Sequence, residues 1–351
     1  MYEIIRYATR YGAHKIQENV HFPPTGSRLC RREARGKGKE KEADKILPLF
    51  RVVIPVILIN FAGNKQPHMH KPIPYTLNIH GHLLDLSEPQ VMGILNVTPD
   101  SFFAGSRKET ERDICQRVEQ IRAEGGSIVD IGAYSSRPGA ADVTPEEEMR
   151  RLARGLRLVR EVWPEAIVSV DTFRAAVARR CVEEHGAGLI NDISGGDLDE
   201  AMFPTVAALG VPYILMHMQG TPQDMQTAPH YTHLVAEVMH HLAERVHRLR
   251  LLGQKDIILD PGFGFAKTLE HNYQLMYHLG ELHALDLPLL VGVSRKSMIY
   301  RLLDCTPQEA LNGTTVLHTL ALAQGAGILR VHDVREAVET IKIVRTCLTS
   351  A

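Results

Sequence analysis

Polar or ionisable residues end a series of short apolar runs between Val91 and His332. Each buried methylene contributes about 0.8 kcal/mol to folding, whereas burying an unpaired carboxylate or amide costs several kcal/mol. Polar residues at these positions therefore indicate strand ends that converge on one hydrated pocket. The eight endings are Asn96, Asp130, Asp171, Asn191 with Asp192, His217, Asp260, Lys296 and His332.

Four of these residues supply the groups that bind a flat heterocycle with an amidine-like edge. Adjacent N–H donors on such a ring require acceptors, such as the carboxylates of Asp171 and Asp260. A carbonyl on the ring requires a donor, which Asn191 or Lys296 can provide. Each residue alone could equally cap a helix or hydrogen-bond at a strand end. Four of them on separate strand ends favour a binding site.

Three other segments have the chemistry of an anion site. Ser294 to Ser297 begins a short helix whose free N–H groups favour anions, and Arg330 and His332 follow the last strand. Tyr134-Ser-Ser-Arg-Pro-Gly139 offers hydroxyl groups and the guanidinium of Arg137. Arg137 could equally be a solvated surface residue. In a barrel, the loops after strands seven and eight commonly bind phosphate.

Asn96 precedes a loop, Thr98 to Ser101, that is rich in turn-forming residues. The amide oxygen of Asn96 suits a hard cation and its nitrogen suits a phosphate; a capped turn without function is the alternative. In Asp260-Pro-Gly-Phe-Gly-Phe265, the glycines allow backbone to approach a ligand, and one phenyl ring can line an aromatic pocket. The other ring can belong to the core.

The histidines are less specific than these segments. His217 could act in catalysis, or it could be a neutral imidazole that is hydrogen-bonded to nearby backbone. His240 and His241 are expected on the surface of a helix. The sequence contains no GxGxxG, GxxxxGK[ST] or GxSxG motif, which argues against dinucleotide-binding, P-loop and hydrolase functions.

Strands and helices alternate from Val91 onwards, in eight units that follow a short hairpin of 75–77 and 81–86. The strands are apolar with little alternation, as expected when both faces are covered. We predict an α/β fold, a closed (β/α)8 TIM barrel, with a doubly wound open sheet as the alternative. The predicted helices are 108–124, 145–163 capped by Thr144, 175–185, 200–209, 233–252, 269–285, 307–326 and 334–347, with a short one near Met298.

Charge divides the chain of 351 residues into two parts. Residues 1–70 carry a net charge of +7 and the remainder carries −8. We therefore expect residues 1–73 to be a basic extension of low order. The alternative is that this extension is not part of the native enzyme, with Met69 as a candidate start. Residues 74–351 would form the barrel. The overall charge of −1 suggests no nucleic-acid partner.

No apolar run is long enough to span a membrane, so we expect no membrane partner and a cytoplasmic protein. The five cysteines form no CxxC pair, and their spacing suggests neither a disulfide framework nor a zinc site. The composition is that of an ordinary enzyme, with 44% hydrophobic residues.

From about Tyr75 to the C-terminus, the chain resembles the dihydropteroate synthases. The resemblance depends on motifs that occur in the order of that family: MGILNVTPDSF, DIGAYSSRPGA, SVDT, IND, LMHMQGTPQDMQ, LDPGFGF, VGVSRKSMI and RVHDV. It implies a (β/α)8 barrel that is usually dimeric. It also implies condensation of 6-hydroxymethyl-7,8-dihydropterin diphosphate with 4-aminobenzoate to give 7,8-dihydropteroate, with Mg2+ as the cofactor and competition by sulfonamides.

The resemblance also assigns roles to individual residues. It implies catalytic roles for Asp171, Asp260, Lys296 and Arg330, and it places Mg2+ and diphosphate at Asn96. The pterin-pocket positions are Asp171, Asn191, Asp260 and Lys296, and those that line the pterin are Met216, Phe265 and Gly292. The diphosphate-side positions are Ser136, Arg137, Arg330 and His332, and the 4-aminobenzoate-side positions are Pro138, Phe265, Lys296 and Ser297.

Two positions depart from the pattern of the family. Ala104 stands where Asp is frequent, which puts a metal-binding or loop-pairing role of the first loop in doubt. Ser136 stands where Thr is commoner, although the hydroxyl is kept. Two alternatives remain: a pterin-dependent methyltransferase, which would need no diphosphate site, and a pterin-binding paralogue without catalysis.

Overall fold

The structure, a computed structural model, describes residues 74–97, 107–134, 143–220 and 229–350, with only the backbone for 107–110. An antiparallel hairpin comes first, formed by β1 (Thr76–Ile79) and β2 (His82–Asp85). Eight parallel strands follow: β3 (Gln90–Asn96), β4 (Ile128–Gly132), β5 (Ile167–Asp171), β6 (Leu189–Asp192), β7 (Tyr213–Met216), β8 (Ile257–Asp260), β9 (Leu290–Val291) and β10 (Ile328–Val331).

The eight parallel strands form a barrel. Their order in the sheet is β8-β7-β6-β5-β4-β3-β10-β9. The two ends of this sheet meet through a parallel bridge between Leu259 and Leu289, and the backbone N–H of Leu259 donates to the carbonyl of Pro288 at 2.9 Å. The (β/α)8 prediction is therefore confirmed, and the open-sheet alternative is wrong.

The hairpin covers the end of the barrel opposite to the polar strand ends. Leu77, Ile79 and Leu86 are buried against residues near the starts of the barrel strands, among them Met92, Ile128, Leu189, Ile214, Ile258, Leu290 and Ile328. Burial of a Leu or Ile side chain contributes about 1.5–3 kcal/mol. This apolar layer therefore closes one end of the barrel and leaves the carboxyl ends of the strands to build a site.

The helices surround the barrel. They are α1 (Arg107–Ala123), α2 (Pro145–Val162), α3 (Ala175–His185), α4 (Met202–Leu209), α5 (Leu234–Leu251), α6 (Leu269–Tyr277), α7 (Ser297–Tyr300), α8 (Leu311–Ala323) and α9 (Val334–Thr349). Thr144 caps α2 as predicted, since its hydroxyl accepts from the backbone N–H of Glu147 at 3.3 Å. Within the described residues, no helix combines the length and apolar character needed to cross a bilayer.

Two predicted helices are shorter in the structure. The helix predicted for 269–285 is α-helical only to Tyr277, and Leu279–Leu285 forms a 3-10 helix that contains the poor helix former Gly280. The helix predicted for 307–326 begins as a 3-10 turn at Pro307–Glu309, and α8 is followed by Gly325 in the left-handed region. The predicted extension, residues 1–73, lies outside the described residues.

Candidate active site

The polar residues at the carboxyl ends of β4, β5 and β6 face one another because of the strand register. Gly132 pairs with Asp171, and Asp171 pairs with Asn191, in adjacent parallel strands. Asp130 lies two residues before Gly132 on β4, on the side of the strand start, and its side chain is fully buried. The register therefore brings two carboxylates and one amide into a single cluster at the end of the barrel.

Arg330 joins this cluster from β10, which is separated from β4 by β3. Its Nε donates to Asp130 Oδ2 at 2.7 Å, and its Nη2 donates to Asp171 Oδ2 at 2.9 Å. Asn191 Nδ2 donates to the same oxygen of Asp130 at 3.2 Å. We expected Arg330 on the diphosphate side, but here its guanidinium lies against the carboxylates of the pterin side, because it can pair with both at once.

Burial and ion pairing compete at this cluster. Burial raises the pKa of Asp171 to about 7, although Arg330 opposes the shift. Burial alone would lower the pKa of Arg330, but Asp130 and Asp171 together raise it, so the guanidinium stays charged. The carboxylate of Asp171 therefore changes its charge near neutral pH beside a permanent cation, as expected for a functional carboxyl group.

Asp260 occupies the end of β8 and begins a tight loop. Its Oδ1 accepts from the backbone N–H of Gly262 at 2.7 Å, and burial raises its pKa. Gly262 and Gly264 both have positive φ, which glycine adopts without strain. The loop sends Phe263 into the core and leaves Phe265 partly exposed. This matches the expected division between a core ring and a pocket ring.

Lys296 lies beside this loop and precedes α7. Its Nζ donates to the carbonyl of Phe263 and lies 4.5 Å from the ring centroid of Phe265, which is a cation–π distance. Burial lowers the pKa of Lys296 to about 8, and the nearby Asp260 opposes this shift. Ser297 follows as the first residue of α7. The predicted lysine therefore reaches the pocket together with the predicted aromatic ring.

Apolar side chains complete the pocket. Met216, Met218, Ile193 and Ala266 form one buried cluster, against which Phe173 and Phe265 pack. Gly292 lies next to Arg330: a Cβ atom added there would lie 3.8 Å from the Cβ of Arg330. A flat ring would thus meet thioether and phenyl surfaces on its faces and polar groups at its edges.

The residues of the expected diphosphate side are only partly described. Asn96 is exposed at the end of β3. His332 Nδ1 lies 3.2 Å from Ser294 Oγ, and burial and Arg330 lower its pKa to about 4, so its imidazole is neutral near pH 7. Within the described ranges, no cluster of three His, Cys, Asp or Glu side chains could hold a metal. Ser136, Arg137, Pro138 and Ala104 lie outside those ranges.

Asp130 is a residue whose role sequence reasoning left open. It is the common acceptor of Arg330 and Asn191, while its Oδ1 is buried and accepts no hydrogen bond from any described group. Its position at the end of an apolar run indicated the pocket. Its partners could not be inferred, because Arg330 lies 200 positions away in the sequence.

Arg295 and Asp192 have structural contacts instead. Arg295 forms a bidentate ion pair with Asp333, at 2.8 Å for both contacts. Asp192 accepts from the hydroxyl of Tyr213 at 2.7 Å and from the hydroxyl and backbone N–H of Ser194. Not every polar group at these strand ends therefore faces the pocket.

Comparison with known proteins supports a pterin pocket. Residues 92–332 match the family described as pterin binding enzyme. The dihydropteroate synthase of Escherichia coli (strain K12) is 44% identical over 275 residues, which cover 77% of this chain and 95% of that protein. A solved structure of Yersinia pestis dihydropteroate synthase with a sulfonamide drug has a TM-score of 0.72 and 42% identity, over 78% of this chain and 100% of that chain.

One further relative matches more of the chain. The bifunctional dihydropteroate synthase/dihydropteroate reductase of Helicobacter pylori is 37% identical over 359 residues. That match covers 95% of this chain and 90% of the relative. It therefore extends into the residues that precede the hairpin, which the Escherichia coli match, at 77% of the chain, leaves out in large part.

Proposed function

The chain belongs to the pterin-binding enzyme family, and from this membership we propose how its residues carry out the dihydropteroate synthase reaction. Its function is that of a dihydropteroate synthase, a transferase of folate synthesis. This confirms the sequence-based prediction over the methyltransferase alternative. The observation that carries the proposal is that Asp171, Asn191, Asp260 and Lys296 all lie at the carboxyl end of the barrel, with Asp260 and Asp171 close enough to affect the pKa of Lys296.

We propose that the pterin ring lies between the strand ends and the apolar cluster that contains Met216. The carboxylates of Asp171 and Asp260 would accept from ring and exocyclic N–H groups. Asn191 and Lys296 would donate to the carbonyl edge of the ring. These contacts would fix the ring so that its exocyclic methylene faces the second substrate, 4-aminobenzoate.

The reaction breaks the C–O bond between this methylene and the diphosphate, and the electron pair leaves with the diphosphate. The nitrogen of 4-aminobenzoate then forms the new C–N bond and loses one proton. Because an aryl amine is a weak nucleophile, an SN1-like course with positive charge on the methylene suits it. That charge spreads into the ring, where the carboxylates of Asp171 and Asp260 favour it.

On the leaving-group side, we propose that His332 and the two loop residues Ser136 and Arg137 bind the diphosphate, and that Arg330 joins them through N–H groups other than those that pair with Asp130 and Asp171. Magnesium prefers oxygen ligands, commonly keeps several waters and takes substrate phosphates with few protein oxygens, so the exposed amide oxygen of Asn96 would serve as a protein ligand. Bound there, Mg2+ would neutralise charge on the leaving oxygens. Ala104 would contribute no carboxylate to this side.

We propose that 4-aminobenzoate lies between Phe265, Lys296, Ser297 and Pro138. The ammonium of Lys296 and the hydroxyl of Ser297 can pair with its carboxylate, while the ring of Phe265 offers an aromatic surface. A sulfonamide drug, like the one bound to the Yersinia pestis relative, would compete for the same place. Water must be kept from the activated pterin, because its attack would consume the pterin without forming the C–N bond.

The activity is tested by incubating the chain with the pterin diphosphate, 4-aminobenzoate and Mg2+ and measuring diphosphate release. We expect release that depends on 4-aminobenzoate and yields dihydropteroate, with 4-aminobenzoate binding more tightly when diphosphate is present. Release without consumption of 4-aminobenzoate would contradict the synthase reaction. Equally tight 4-aminobenzoate binding without diphosphate would contradict the proposed order of binding.

We propose that the chain acts in the cytoplasm as a homodimer that pairs through α8 and α9. Val316 and Leu320, one turn apart on α8, are 52% and 48% exposed, and Ile343 on α9 is 66% exposed. Exposed apolar groups on neighbouring helices suit a second copy of the chain. Light scattering should report a dimer mass, and Leu320→Glu should shift it towards the monomer.

A second candidate activity involves the residues before the barrel. Because the Helicobacter pylori relative, named as a bifunctional synthase and reductase, matches 95% of the chain, we propose that the full chain also reduces dihydropteroate. Incubation of dihydropteroate with a reduced nicotinamide or flavin should then give tetrahydropteroate by mass spectrometry. A chain that starts at Met69 should lose this reduction and keep the synthase activity. Reduction at the same rate by both chains would contradict the proposal.

A further inference from the structure

Two buried basic side chains and one partly buried histidine lie behind the loop that follows β8. Lys267 is 3% exposed and His217, at the end of β7, is 1% exposed. The ring of His241 in α5 lies with its centroid 4.5 Å from that of His217, and its buried Nε2 meets no partner among the described residues. His241 is therefore only partly exposed on α5, whereas its neighbour His240 is exposed.

Lys267 cross-links the loop to β7. Its Nζ donates to the carbonyls of Gly262 at 3.0 Å and Phe265 at 3.1 Å, and it lies 3.0 Å from Nδ1 of His217. These three contacts match the three N–H groups of an ammonium. The described contacts give Lys267 no carboxylate partner, so this lysine is held by backbone carbonyls and one imidazole.

The loop needs such an anchor because its backbone is folded tightly. Gly262, Gly264 and Ala266 have φ of +72°, +79° and +47°, and Ala266 adopts this region with a side chain. A Cβ atom added at Gly262 would lie 2.0 Å from the carbonyl oxygen of His217. The loop is thus pressed against the same residue to which Lys267 binds.

The contacts of Lys267 can persist whether or not it carries a proton. Burial lowers its pKa to about 7 and lowers the pKa of His217 well below its usual value, with the charge on Lys267 as a second cause for the histidine. A neutral amine still donates to both carbonyls, and it can then accept from an Nδ1–H of His217. The cross-link therefore requires this lysine and imidazole pair more than it requires a charge.

The cross-linked loop carries groups that build one side of the pocket. The carbonyl of Phe263 accepts from Lys296, and the ring of Phe265 lies over the ammonium of Lys296. Asp171 and Asn191 are held by strand pairing and side chains elsewhere in the barrel. Movement of this loop would therefore displace Phe265 and Lys296 while the strand-borne pterin contacts stay in place.

We propose that Lys267, together with His217, is a positioning residue that sets the 4-aminobenzoate side of the pocket by anchoring residues 262–265. The inference rests on the proposed function, because the two sides of the pocket are defined by the two substrates of the synthase. Lys267 touches neither substrate in this proposal. It acts through Phe265 and Lys296.

The test compares Lys267→Met with Lys255→Met, which makes the same change at an exposed lysine on the approach to β8. A small misplacement of a binding group can cost about a hundredfold, so we expect Lys267→Met to raise the KM for 4-aminobenzoate at least about tenfold. The KM for the pterin diphosphate should rise clearly less, because Lys296 and Asp260 contact the pterin as well but Asp171 and Asn191 stay in place. Lys255→Met should leave both KM values and kcat unchanged.

Circular dichroism and the melting temperature check that Lys267→Met is folded. If it is too unstable to assay, Lys267→Gln keeps two N–H donors for the carbonyls and should raise the KM for 4-aminobenzoate to a smaller extent. An equal rise in both KM values, or no rise in either variant that folds, would overturn the inference. Absence of diphosphate release by the unmodified chain would instead overturn the proposed function.

Discussion

The two sides of the pocket hold their charged groups with different kinds of contact. The acid cluster consists of Asp130, Asp171, Asn191 and Arg330, which are linked by side-chain hydrogen bonds between strand ends. The lysine side consists of Lys267, Lys296 and the loop 261–266, where both ammonium groups donate to backbone carbonyls. Strand register positions the first side, and a folded loop positions the second.

This difference affects how each side can respond to a ligand. In the acid cluster, the guanidinium of Arg330 pairs with two carboxylates, so a substrate that binds Asp171 in its place leaves Arg330 paired with Asp130. On the lysine side, removing one ammonium leaves buried carbonyls without donors, which costs about 1–3 kcal/mol each. We therefore expect the acid cluster to determine the rate and the lysine side to determine 4-aminobenzoate binding.

The largest effect should come from Asp171→Asn, which keeps the size of the side chain and removes its charge. Turnover should fall by about a thousandfold or more, because the positive charge on the pterin methylene loses a nearby carboxylate. Steady-state kcat and circular dichroism measure activity and folding separately. Near-normal kinetics in a folded variant would refute the role of Asp171.

Asp192→Asn is the matched control at a neighbouring strand end. Its two carboxylate oxygens accept from Tyr213, Ser194 and Gly196. In the Asn variant an NH2 group would replace one of these acceptors and would face groups that are themselves donors. The melting temperature should fall, while kcat of the folded protein should change less than about threefold. A loss of kcat as large as that of Asp171→Asn would show that the acid cluster has no special role.

A smaller effect, about a hundredfold in kcat/KM, should follow from Lys296→Met. This variant removes the ammonium group, which lies over the ring of Phe265 and donates to the carbonyl of Phe263. The KM for 4-aminobenzoate should account for more of the loss than kcat, if the lysine side governs binding. Lys342→Met, at an exposed position of α9, is the control. A loss confined to kcat would break the distinction between the two sides.

Much of the fold and of the acid cluster could be predicted from the sequence. Apolar runs that end in Asp171, Asn191 and Asp260 placed the strands to within a residue or two, because polar side chains are tolerated only where a strand leaves the core. The hairpin and the helix cap at Thr144 followed from local chemistry in the same way. Local sequence patterns do not show which carboxylates will pair with a distant arginine such as Arg330.

The lysine side could be predicted only in part. The family motifs LDPGFGF and VGVSRKSMI identified Phe265 and Lys296. The sequence assigned no role to Lys267, and it left a catalytic and a structural role open for His217. Their contact joins positions 50 residues apart and depends on three left-handed backbone angles in the loop. Such a contact arises from the path of the loop in three dimensions, which the alternation of apolar and polar residues does not encode.

The pH dependence sharpens the comparison further. Asp171 gains a proton as the pH falls through about 7, and Lys296 loses one as the pH rises through about 8, so kcat/KM should decline on both sides. Asp130→Asn removes a charge that raises the pKa of Asp171. The acid limb, which is the decline of kcat/KM at low pH, should therefore move to lower pH in this variant. We expect kcat to fall about tenfold as Arg330 loses a partner.

The basic limb is the internal control for Asp130→Asn. Lys296 responds to Asp260, Arg330 and Asp171, and Asp130 is not among the causes of its shift. The basic limb should therefore stay near its original position in this variant. If both limbs moved together, a change at Asp130 would shift the pKa values of both Asp171 and Lys296. The acid cluster and the lysine side would then titrate as one coupled system.

The smallest effect should come from Gly264→Ala, which adds one methyl group to the loop of the lysine side. Its Cβ would lie 3.1 Å from Cδ of Lys296, in a residue with φ of +79°. The lysine chain is flexible and can move by a few tenths of an ångström, so we expect the KM for 4-aminobenzoate to rise only about threefold. The left-handed angle should itself lower stability by about 1–2 kcal/mol.

Gly253→Ala separates these two consequences, because Gly253 has φ of +91° and its added Cβ meets no atom within 4 Å among the described residues beyond its chain neighbours. It should lower the melting temperature to a similar extent and leave both KM values unchanged. If Gly264→Ala also left the KM for 4-aminobenzoate unchanged, then small shifts of Lys296 would have no effect on binding. The loop would in that case tolerate more movement than its three left-handed residues and its lysine anchor imply.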